Sequence, residues 1–135
     1  MNFDFSDDQK MLKEQVNKFL TNKCGYDVVR RVLENDELYA KEVWDGLVEM
    51  GVTGTAIPEE YGGLGLGALE LCVVAEELGK FAAPVPFSSS VFLASEAIKL
   101  AGSEEQKKKY LPKLAAGEII GTLAASEGVQ AASLR

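Results

Sequence analysis

A chain of 135 residues with 47% hydrophobic and 26% charged content has room for one ordinary core and the composition of a globular domain, not of a disordered or fibrous segment. Its formal net charge of -7 repels nucleic acid and anionic membranes, and the absence of histidine excludes Ser-His-Asp and Cys-His catalysis and every histidine-bearing zinc site. Met1 to Asp8 lacks the basic and apolar regions of a secretory signal, and the longest uncharged stretch, Phe81 to Ser95, is too short to span a bilayer. These features predict a cytoplasmic protein that binds neither nucleic acid nor membrane, with Cys24 and Cys72 as buried free thiols.

Taken in chain order, Ser6-Asp7-Asp8-Gln9 has the form of a capping box, and Leu12, Val16, Phe19 and Leu20 recur behind it at helical spacing as far as Cys24-Gly25. A weaker, shorter helix is expected over Asp27 to Glu34. A third runs from about Leu38 to Met50, with Val43, Trp44, Leu47 and Met50 inward and Gly51 as its stop. Val52 to Ile57 is short, β-branched and ends at Pro58, which predicts an extended connection. The stretch Gly62-Gly63-Leu64-Gly65-Leu66-Gly67 allows positive φ angles and close backbone approach, so it should be a structured loop.

Leu69, Leu71, Cys72, Val74, Ala75 and Leu78 predict a helix over Ala68 to Leu78 that is buried on most sides. Phe81-Ala82-Ala83-Pro84-Val85-Pro86 follows as an extended linker. A nearly uncharged, central helix then covers Ser88 to Ala101. Ser103-Glu104-Glu105-Gln106 is a second capping box; its helix runs through Tyr110, is re-set by Pro112 and closes at Gly117. Only Ile119 to Ala125 changes period, to a β-type run, and one lone strand cannot satisfy its own backbone.

Few of these features name a chemistry. Gly63-x-Gly65-x-Gly67 lacks the preceding buried strand and the following ribose-binding acid of a dinucleotide fold. Lys107-Lys108-Lys109 reads as a solvated helix face. Glu59, Glu60, Glu70, Glu76 and Glu77 are explained equally well as capping and solvating carboxylates. Periodicity designates no catalytic residue and no metal ligand.

Longer motifs are more specific. Ala56-Ile57-Pro58-Glu59-Glu60-Tyr61-Gly62-Gly63-Leu64-Gly65-Leu66-Gly67, followed by Val74-Ala75-Glu76-Glu77-Leu78-Gly79, closely resembles the signature loop and E-E-L helix of the acyl-CoA dehydrogenase family. The likeness continues through Ala101-Gly102-Ser103-Glu104-Glu105-Gln106-Lys107-Lys108-Lys109-Tyr110-Leu111-Pro112 and Leu114-Ala115-Ala116-Gly117-Glu118, in family order. The resemblance implies an all-α fold, an orthogonal multi-helix bundle of about five or six helices with one short β-type segment at the carboxy end. It divides the chain into an amino-terminal helical domain over 1–118 and the start of a truncated middle β domain over 119–135.

By the same resemblance the complete protein is an FAD-dependent oxidoreductase that desaturates an acyl-CoA thioester. A glutamate removes the α-proton and the flavin accepts the β-hydride. That glutamate belongs to the family's carboxy-terminal bundle, so no catalytic residue is assigned here, and the 135-residue chain alone is expected to be inactive and free of FAD. Leu123, Ala125 and Ser126 match the family's flavin-contacting segment, although Gly128 stands where the family has proline. Ser89, Ser90 and Leu93 match positions that line the acyl pocket. The expected partners are the acyl-CoA substrate and either further copies of the chain or an unlike dehydrogenase subunit, and Pro84-Val85-Pro86 resembles members acting on bulky or steroid acyl-CoAs. The alternative from a different class is a stand-alone, non-catalytic helical interaction module of the same descent.

Overall fold

The computed structural model describes residues 4–125. Among them are six α-helices: α1 (Asp7–Lys23), α2 (Tyr26–Glu34), α3 (Lys41–Glu49), α4 (Ala68–Lys80), α5 (Glu96–Ala101) and α6 (Glu104–Ala115). Two 3-10 turns, Val52–Gly54 and Glu59–Tyr61, lie between α3 and α4, and a π-helix, Ser88–Ser95, leads directly into α5.

Both capping boxes form. The Gln9 N–H donates to Ser6 Oγ at 3.2 Å while the Ser6 N–H donates to Gln9 Oε1 at 3.0 Å. Ser103 and Gln106 repeat the exchange at 3.2 and 2.8 Å. Each box satisfies amides that a helix start otherwise leaves open, which fixes where α1 and α6 begin.

The main core gathers Val16 and Leu20 of α1, Val43, Trp44 and Leu47 of α3, Val74 and Leu78 of α4, and Phe87 and Val91 of the π-helix region. Tyr39 meets Trp44 edge to face at 6.5 Å. A second cluster of Ile57, Tyr61, Leu111, Leu114 and Ala115 joins the glycine-rich loop to α6. Two carboxylates of α4 clamp it to α1: Lys13 Nζ donates to Glu76 Oε1 at 2.7 Å, and Asn17 Nδ2 donates to buried Glu77 Oε2 at 2.6 Å.

Five expectations change. Val52 to Ile57 is not extended but curls tightly, because short-range bonds close it: the Gly54, Thr55 and Ile57 N–H groups donate to Gly51, Val52 and Gly54 O, and Thr55 Oγ1 donates to Val52 O at 2.7 Å. Buried Thr53 ties the turn to Ala115 O of α6 at 2.7 Å. Pro112 does not re-set its helix but lies inside α6; the carbonyl it leaves without a helical partner belongs to Lys108, an exposed residue that water can serve. Cys72 is exposed on α4, and only Cys24 is buried, where burial pushes its thiol pKa up. Leu69, at the start of α4, is exposed as well. Finally, Ile119 to Ala125 forms no strand among the described residues, since a strand needs a second strand to hold its backbone groups.

Candidate functional site

The glycine-rich loop is a packed corner. Its backbone closes on the preceding turn: the Leu64 N–H donates to Gly54 O, Gly65 to Ile57 O and Leu66 to Thr55 O, at 2.9, 2.9 and 2.8 Å. Gly62 has φ +80°, the left-handed conformation that favours glycine. The neighbouring Gly63 is needed for a different reason, since a Cβ there would lie 2.0 Å from the Ile57 carbonyl oxygen.

Beside the glycines, the Tyr61 hydroxyl donates to Glu104 Oε2 at 2.8 Å. This bond first, with burial and nearby carboxylates behind it, pushes the Tyr61 pKa up to about 12. Glu104 moves the other way, lowered by hydrogen bonds from Lys107 and then Tyr61. The two most specific sequence motifs therefore dock onto each other. Glu70 is also committed: it accepts Gln9 Nε2 at 2.8 Å and the Gly67 N–H at 2.9 Å, and the Gln9 bond leads the causes that hold its pKa down. With Glu76 and Glu77 bound to α1, three of the five conspicuous glutamates are structural ties. Glu59 and Glu60 are exposed. Among the described residues no group of His, Cys, Asp and Glu gathers as a metal site would.

The π-helix carries the residues matched to the acyl pocket. It is wound more widely than an α-helix, and the Ser95 hydroxyl donates to the Ser90 carbonyl at 2.9 Å within it. Such windings concentrate at functional sites. Its inner side buries Ser90, Val91, Ala94 and Ser95, and the buried Phe87 just before it packs edge to face on Phe92 at 5.5 Å. Ser89 is half-buried and donates to Pro86 O at 3.1 Å. Leu93 points outward and is 46% exposed.

The segment after α6 returns to this π-helix. The Gly121 N–H donates to Ser90 Oγ at 3.2 Å, and Gly121 sits so close to the helix that a Cβ there would lie 2.5 Å from that of Ala94. Beyond this contact Leu123 and Ala125 are exposed, Leu123 by 48%. The structure thus brings the segment of Gly121, Leu123 and Ala125 against the helix of Ser89, Ser90 and Leu93, two regions 31 residues apart in sequence at their hydrogen bond. Ser126 lies outside the described residues. Ser95 and Gly121 escaped the sequence reading; the four serines of Ser88-Ser89-Ser90 and Ser95 in an otherwise apolar helix were the available signal for its unusual winding.

The family model for the acyl-CoA dehydrogenase N-terminal domain matches residues 6–118. The chain belongs to the acyl-CoA dehydrogenase family. It is 39% identical over 124 residues to the mitochondrial isovaleryl-CoA dehydrogenase of Bos taurus, covering 90% of this chain and 29% of that enzyme. Among solved structures, the ChsE4-ChsE5 complex of Mycobacterium tuberculosis superposes with a TM-score of 0.84 at 30% identity, over 96% of this chain and 35% of that one. An acyl-CoA dehydrogenase of Bacillus anthracis complexed with FAD gives 0.79 at 34% identity, over 94% and 22%. This dehydrogenase-family chain therefore spans roughly a third or less of the length of these relatives, and its helices are their amino-terminal domain. No helix among its described residues is long and apolar enough to cross a membrane.

Proposed function

We propose that the chain is the amino-terminal domain of an FAD-dependent acyl-CoA dehydrogenase, in which it supplies one wall of the acyl pocket and a flavin-side segment but no catalytic base. One observation carries this reading: two exposed leucines, Leu93 and Leu123, stand on a π-helix and a returning segment that are joined through Ser90 and Gly121. Apolar side chains exposed at such a junction favour burial against a ligand or another domain.

The residues present fit the flavin. Thr122 to Ala125 is exposed, and among the described residues its backbone groups are not used up in a helix or ladder, so amides there are free to face a planar ring. Leu123, Ala125 and Ser126 would contact the cofactor, which supplies a hydride acceptor when bound. Ser89, Ser90 and Leu93 lie on the element facing the acyl chain, where Leu93 excludes water and limits length by filling volume. Residues 119–135 open the middle domain in this scheme. The working assembly pairs the domain with further copies or an unlike dehydrogenase subunit.

A chimera tests the proposal: this chain replaces the corresponding segment of the bovine isovaleryl-CoA dehydrogenase. It should retain FAD and oxidise an acyl-CoA, and Leu93→Trp in the chimera should shorten the preferred acyl chain. The 135-residue chain alone should be colourless and inactive, since one short segment of contacts cannot replace a whole cofactor site. A folded chimera that holds no flavin, or an acyl-length profile that ignores Leu93→Trp, would overturn the assignment.

A further inference from the structure

We propose that Ser90 is a positioning residue that sets the path of the flavin-side segment, rather than a side chain that touches the acyl group. The inference rests on the dehydrogenase reading for its meaning, but its geometry stands on the structure itself. Ser90 is only 1% exposed, so its hydroxyl is not presented to a pocket. That hydroxyl accepts the Gly121 N–H at 3.2 Å. On the other side of the same residue, the Ser90 carbonyl accepts the hydroxyl of Ser95, itself 3% exposed.

These two bonds hold Ser90 at both its hydroxyl and its carbonyl. In an α-helix each carbonyl is taken by the amide four residues on; widening to a π-helix shifts that partner, and the Ser95 hydroxyl reinforces the wider register from the side. The winding in turn holds the Ser90 hydroxyl toward the returning chain. Gly121 completes the fit sterically, because it lies where a Cβ would meet that of Ala94 at 2.5 Å and the Leu114 side chain at 3.3 Å. The segment is therefore fastened at residue 121 by one hydrogen bond and one close approach, two residues before Leu123. Shifting that point would move Leu123 and Ala125 relative to Leu93, and with them the two surfaces that the function needs in register.

Amide hydrogen exchange on the isotopically labelled chain tests the fastening without cofactor or activity. In Ser90→Ala the Gly121 amide should exchange about tenfold faster, the loss expected when this part-buried hydrogen bond is removed. Ser90→Thr, which keeps the hydroxyl, should return it toward the native rate. Ser89→Ala should leave it unchanged. The core amides of Val16 and Leu20 report whether each variant is still folded. If Ser90→Ala unfolds the chain, Gly121→Ala decides, because it presses the same point outward with the hydroxyl intact and should shift the Leu123 and Ala125 resonances while the core stays protected. Native exchange at Gly121 in folded Ser90→Ala, or unshifted Leu123 and Ala125 resonances in Gly121→Ala, would overturn the proposal. Failure of the chimera to bind FAD would instead remove the flavin reading and leave the fastening in place.

Discussion

Two of the regions that depart from regular α-helical backbone among the described residues do so to opposite ends. The corner from Gly54 to Gly67 has left-handed glycines and tight turns, yet its hydrogen bonds close internally and its one phenol is tied to α6 through Glu104. The π-helix from Ser88 to Ser95 is equally irregular, but it leaves Leu93 outward and receives a returning segment that leaves Leu123 outward too. Irregular backbone is therefore not in itself a sign of a binding site. Apolar exposure does not separate the two regions, since Leu64 and Leu66 of the corner are about as exposed as Leu93; what differs is the neighbour, α6 at the corner through Tyr61 and Glu104 and the returning segment at the π-helix through Ser90 and Gly121.

The contrast can be broken or sharpened by substitution. The largest effect is expected at Gly63, where even the β-carbon of alanine would press on the Ile57 carbonyl: Gly63→Ala should destabilise by roughly 3 kcal/mol or more in chemical denaturation. A loss under about 1 kcal/mol would mean the corner yields and is not rigidly packed. Gly62→Ala, with φ +80° but open space around the site, should lose only about 1 kcal/mol, the cost of backbone conformation alone. Equal losses at the two sites would contradict the separate causes assigned to them.

On the π-helix, Ser95→Ala removes the hydroxyl that meets the Ser90 carbonyl and should destabilise by about 1–2 kcal/mol. Its clearer signature is a local one: amide shifts should spread through residues 88–95 and leave α1 untouched. Shifts confined to position 95 would show that the wide winding does not depend on this bond.

The corner also has a pH signature. Because the Tyr61 pKa rises from the ordinary 10.0 to about 12, the bond to Glu104 favours the neutral phenol. Its contribution is intact below about pH 10 and is lost as pH climbs from there toward about 12. Native chain should show a phenolate absorbance step near the upper end of that window that Tyr61→Phe lacks; identical titration curves would dissolve the link between the two motifs. The smallest effect belongs to Leu93→Gln in the isolated chain, within about 0.5 kcal/mol, because the side chain is already 46% exposed. A large loss would return Leu93 to the core and blur the contrast between the regions.

Sequence by itself determined the elements whose causes are local. The boxes Ser6 to Gln9 and Ser103 to Gln106 fix two helix starts within four residues each, and the spacing of Val16 and Leu20, or of Val43 and Leu47, fixes which face turns inward. The motifs of the glycine loop and the E-E-L helix also carried the family, which the match over residues 6–118 shows. Tertiary structure alone decided what depends on partners distant in sequence. No local rule distinguishes Gly63 from Gly62; the first is required by the Ile57 residue pressed against it and the second by its left-handed φ. Cys72 and Leu69 read as core until the neighbours of α4 show which of its faces stays open. Glu77 is buried with its carboxylate met by Asn17 and Lys13 from another helix and by Lys80 from its own. The meeting of Ser90 with Gly121 joins residues 31 positions apart, and a hydroxyl's role is set by what it reaches, which spacing along the chain does not record.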